Sequence, residues 1–65
     1  MKKTFEVGIQ FRTKDGVQIK TFHIRRTSLE KAIFDSYSLV RTWLEKNYDV
    51  YYLEDFGVEE CYYCE

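Results

Sequence analysis

Proline is absent from this 65-residue chain, histidine occurs once, cysteine twice and glycine three times. Each scarcity removes a class of protein. Two cysteines cannot staple a loop-rich fold of the kind that small secreted domains use. Gly8, Gly16 and Gly57 are too dispersed to form a glycine-rich phosphate loop. His23 has no serine at a telling spacing: Ser28 reads as a helix cap, Ser36 falls on an apolar helical stripe and Ser38 on the opposite side. Nucleophilic catalysis is therefore unsupported, and the expectation is a protein that is not an enzyme and needs no cofactor. No run of about 18 apolar residues is present to span a membrane. Met1-Lys2-Lys3 leads into Thr4-Phe5-Glu6 rather than an apolar stretch, which argues against a signal peptide and for a cytoplasmic protein.

What the chain has in abundance is rings. Five Phe, six Tyr and one Trp give a short chain large side chains to bury, at about 150–250 Å² each. The length allows a single domain, residues 1–65, and leaves little material to shape a deep pocket.

Phe5, Val7, Ile9 and Phe11 alternate with polar or small neighbours, the period of a half-buried strand. Thr13-Lys14-Asp15-Gly16 supplies hairpin chemistry. Val17–Arg26 is a second strand, but its apolar set changes parity between Ile19 and Phe22. A bulge near Lys20-Thr21 would restore one buried face; a strand leaving the sheet is the alternative. Thr27-Ser28-Leu29-Glu30 reads as a capping box with Thr27 as N-cap and Glu30 reaching back. The helix that follows carries Leu29, Ala32, Ile33, Ser36, Tyr37, Val40, Trp43, Leu44 and Asn47 on one stripe for about five turns. Asn47 is the expected left-handed exit. Val50–Glu54 is strand-like, Asp55-Phe56-Gly57 looks like a turn, and Val58–Cys64 could close the sheet. The fold class is therefore α+β: a two-layer ββαβ or ββαββ domain, with one amphipathic helix packed on an antiparallel sheet.

Charge is polarised along the chain. Residues 1–46 hold all ten basic residues and five acidic ones, a net of +5, whereas residues 47–65 hold six acidic and no basic residues. Five tyrosines share that acidic segment. It either folds back to neutralise the basic hairpin or presents an acidic, tyrosine-rich surface to a basic protein partner. The partner-binding candidates are Tyr51, Glu54, Asp55, Phe56, Glu59, Glu60 and Tyr62. Phe34, which falls off the apolar stripe near Arg41 and Glu45, is an outside candidate. The alternative is a nucleic-acid surface on the outer face of the hairpin, with Glu6, Gln10, Arg12, Gln18, Lys20, His23 and Arg25 outward. Its binding candidates are Arg12, Lys20, His23 and Arg25. A third expectation is a homodimer, since small domains often lean on oligomerisation.

Cys61-Tyr62-Tyr63-Cys64 has spacing that can ligate zinc or do redox chemistry. Zinc would need two further ligands, and acidic neighbours would raise the thiol pKa. The expectation is one buried and one incidental cysteine and no metal, with a zinc-sharing dimer or a disulfide as alternatives.

The succession Phe5-Glu6-Val7, Lys14-Asp15-Gly16, Lys20-Thr21-Phe22-His23-Ile24 and Ser28-Leu29-Glu30-Lys31-Ala32-Ile33 resembles that of many small phage and mobile-element proteins, anti-CRISPR proteins among them. The similarity spans roughly residues 4–53. It implies a ββαβ fold and an inhibitor that docks on host machinery. It carries over no site residue.

Overall fold

The computed structural model describes residues 2–62. Its elements run β1 (Lys3–Thr13), β2 (Gly16–Arg26), α1 (Leu29–Asn47) and β3 (Tyr52–Glu60), in one antiparallel sheet of order β2-β1-β3. The fold is α+β with the order β-β-α-β. Because β2 and β3 flank β1, the connection between them must cross β1, and α1 is that connection. The central strand is thereby covered on one face, while no element among the described residues covers the other.

Phe5, Val7, Ile9 and Phe11 are buried beneath the helix. Val7, Ile9 and Phe11 pack with Val40 and Leu44 of the helix, whose buried residues Ala32, Ser36, Val40 and Leu44 form an i, i+4 row. Ser36 is fully buried, and its Oγ donates to the Ile33 carbonyl at 3.1 Å, so the hydroxyl carries no unmet bond. Rings fill the far end. Phe11 packs against Trp43 and Tyr48 at centroid distances of 5.7 and 5.2 Å, and Phe22 meets Trp43 at 5.4 Å. No helix among the described residues is long and apolar enough to cross a membrane.

Four local expectations are corrected. The N-cap is Ser28, not Thr27: its hydroxyl accepts from Lys31 N at 3.3 Å, and Glu30 falls in the first turn, where it complements the helix dipole. The helix leaves through Tyr48 in extended conformation, and Asn47 instead donates its side-chain amide to the Trp43 carbonyl at 2.8 Å. The register of β1 with β2 is unbroken from Lys3↔Arg26 to Thr13↔Gly16, so there is no bulge near Lys20-Thr21. Val17 and Ile19 consequently point to the uncovered face. Gln18 and Lys20 oppose Phe11 and Ile9 and so lie on the helix side, not outward. There the Lys20 ammonium stands 5.6 Å from both the Phe22 and Trp43 ring centroids.

The fourth correction concerns β3. Asp55-Phe56-Gly57 is not a turn but lies inside one continuous strand, and the irregularity is a register shift opposite Gln10/Phe11. Ile9 faces Phe56 and Phe11 faces Leu53, leaving Glu54 as the extra residue. Without the register shift, strict alternation from Phe56 would put Glu54 beneath the helix. The bulge turns Leu53 inward and lets Glu54 reach Arg12 at 3.0 Å and Gln10 at 3.3 Å. The hairpin behaves as expected, with the positive φ (111°) carried by Gly16.

Candidate protein-binding surface

On the uncovered face, Gly8 of β1 pairs with Gly57 of β3. Neither residue has a Cβ, and nothing lies within 4 Å of where one would stand. The two strands thus present bare backbone flanked by longer side chains. The result is a shallow, solvent-open trough of about 380 Å³, bordered by Glu6, Gln10, Ile19, Asp55 and Glu59.

Its border is acidic. Glu6 and Glu59 are direct cross-strand partners, an arrangement in which like charges repel. Glu6 has a contact on its other side, 3.3 Å from His23 Nε2. Asp55 accepts from the Phe56 backbone N–H at 3.0 Å. Among the described residues, Asp55 and Glu59 have no ion-pair partner. Ile19, 76% exposed, forms an apolar wall on the β2 side. The chemistry of the trough suits a cationic side chain with an aliphatic stem: the stem would lie along Ile19 and glycine backbone, and the charge would separate two repelling carboxylates.

The acidic segment is divided by the strand's alternation. Asp55 and Glu59 border the trough. Glu60 opposes Phe5 on the helix side and contacts Lys3 at 3.7 Å, and Glu54 is held by Arg12. Among the described residues, internal neutralisation therefore takes Glu54 and Glu60 and leaves Asp55 and Glu59 without an ion pair. Tyr51 and Phe56 pack partly against the core, Phe56 meeting the Tyr37 ring at 5.7 Å. Tyr62 is 79% exposed beyond the end of β3. Phe34, 80% exposed, sits away from the trough on the helix side, beside a second depression lined with Phe22, Leu39 and Trp43.

The four basic candidates do not form one patch. Lys20 is on the helix side. Arg25 and Arg12 stand at opposite ends of the open face, opposite Thr4 and within β1 respectively. Those positions, Thr4 and Arg12 of β1, are eight steps apart along the strand, about 26 Å at about 3.3 Å per residue, with the acidic trough between them.

Reasoning from the sequence missed Glu6, Gly8, Ile19 and Gly57 as site residues. The visible signal was Ile19, an apolar residue out of phase with Phe22 and Ile24. The glycines were legible only once Gly8 and Gly57 were known to face each other. The sequence also left His23 and Cys61 apart, whereas side-chain donor atoms of Glu6, His23 and Cys61 lie within 4.8 Å of one another. Cys61 is half-buried and disulfide-bonded. Cys64, Tyr63 and the expected strand beyond Tyr62 lie outside the described residues. No family model, curated protein or solved structure matches the chain.

Proposed function

We propose that this chain is a non-enzymatic protein-binding module that takes a basic segment of a larger protein into the acidic trough on its open sheet face. The observation that supports this most is the cross-strand pair Glu6–Glu59 over a glycine floor, with Asp55 and Glu59 unpaired among the described residues. Such an arrangement costs stability by repulsion, and a bound cation removes that cost. The resemblance to small phage and mobile-element proteins adds the further reading that the partner is host machinery, which the module inhibits in the cytoplasm by occupying a basic surface.

The test is titration of the isotope-labelled chain with a short peptide of alternating arginine and glycine, followed by amide resonances. Saturable shifts centred on Gly8, Asp55, Gly57 and Glu59 are expected, weakening as salt is raised. A parallel arm uses single-stranded DNA. Shifts with DNA and none with the peptide would replace this reading by the nucleic-acid one.

A second reading rests on Phe34. A ring so exposed, beside Phe22, Leu39 and Trp43, suits self-association. Sedimentation at high micromolar concentration decides it, with a monomer counting against a homodimer.

A further inference from the structure

We infer that Glu6, His23 and Cys61 form a zinc site that is open when Cys61 is a thiol and closed when it is in its disulfide. The three residues come from different parts of the chain and are held together by the sheet. Glu6 and His23 are cross-strand partners in the β1–β2 ladder. Cys61, one residue past the end of β3, is tied to β1 by its backbone N–H, which donates to the Thr4 carbonyl at 2.9 Å. Chain segments fixed by backbone pairing keep the donors near one another before any metal arrives.

The spacing suits a tetrahedral ion. Zinc bonds of about 2.0–2.3 Å place neighbouring ligand atoms about 3.3–3.7 Å apart. His23 Nε2 and Glu6 Oε1 already stand 3.3 Å apart, and all three donors fall within 4.8 Å, so closure needs only side-chain rotation. One imidazole nitrogen, one thiolate and one carboxylate oxygen form a mixed donor set that zinc accepts. The His23 and Glu6 side chains are 47% and 41% exposed, so the ion can enter and a water can complete the shell.

The disulfide gates the site, because a thiolate is the ligand that zinc needs. Two equivalents of a low-molecular-weight thiol supply the electrons. The protein disulfide is reduced to two thiols, and the small thiol is oxidised to its own disulfide. Zinc then displaces the proton from the Cys61 thiol to form the S–Zn bond. His23 binds through Nε2 in the neutral tautomer, with its proton on Nδ1. The site shares Glu6 with the acidic trough but does not rest on the binding role proposed for it.

The experiment is titration of the full chain with Co²⁺, a spectroscopic stand-in for zinc, in the reduced and the oxidised state. The reduced chain is expected to show a thiolate-to-cobalt charge-transfer band that Zn²⁺ abolishes; the oxidised chain shows none. His23→Gln and Glu6→Gln should each weaken binding at least about tenfold, since loss of even an outer-shell partner commonly costs about 10–100-fold. Circular dichroism confirms that both variants fold. Unchanged affinity in His23→Gln would overturn the site, as would the absence of a band in the reduced chain. An equal cobalt affinity in the oxidised chain would overturn the gating.

Discussion

Two faces of one strand divide the work of this molecule. Along β1, Phe5, Val7, Ile9 and Phe11 are sealed beneath the helix, while Glu6, Gly8 and Gln10 between them border an open trough. Alternation puts side chains one residue apart on opposite sides of the sheet. A single helix covers a single face, so nearly all of the packing that holds the fold resides there. The open face is released from that duty and can carry repelling carboxylates and bare backbone.

The largest expected effect tests this division on adjacent residues. Phe11→Ala should cost about 3–5 kcal/mol through the cavity beside Trp43 and Tyr48. A chain of this size has roughly 3–10 kcal/mol of stability in all, so the variant should lose at least about a third of it. Gln10→Ala should stay within about 0.5 kcal/mol. Urea denaturation measures both, and similar losses would break the comparison.

Gly57→Val sharpens it from the other side. Space is open above Gly57, and a β-branched residue suits a strand better than glycine does. Stability should rise by up to about 1 kcal/mol, while the filled trough loses its affinity for a basic peptide. A variant that is both more stable and equally tight in binding would place the contact elsewhere.

On β2 the same comparison separates Lys20 from Thr21. Lys20→Ala should cost about 0.5–1 kcal/mol, since the ammonium and stem cover the Phe22 and Trp43 rings. Thr21→Ala, on the open face opposite Gly8, should cost less. Thermal unfolding of the pair decides whether Lys20 belongs to the helix side.

The element order was legible because it rests on local chemistry. Alternation in β1, Asp15-Gly16 and the stripe from Ala32 to Leu44 each point to one structure. The paths of β2 and β3 were not, because they depend on which residues sit across the ladder. Val17 and Ile19 look like core residues by composition, yet the unbroken register with β1 turns them outward. Asp55-Phe56-Gly57 has turn composition, and only its pairing with Gln10, Ile9 and Gly8 keeps it extended. Of the candidate site, Asp55 and Glu59 were found through charge. Glu6 was placed on the outer face, but its juxtaposition with Glu59, His23 and Cys61 is a product of tertiary register.

The measurement that bears most directly on the two-face account is paired affinity and melting temperature for Asp55→Asn/Glu59→Gln against the unmodified chain. Two carboxylate contacts worth about 1 kcal/mol each correspond to a loss of more than about tenfold in affinity for the arginine–glycine peptide. The melting temperature should hold or rise slightly, because removing Glu59's charge relieves its repulsion with Glu6. Undiminished affinity, or a melting temperature that falls as far as a core variant's, would contradict the account.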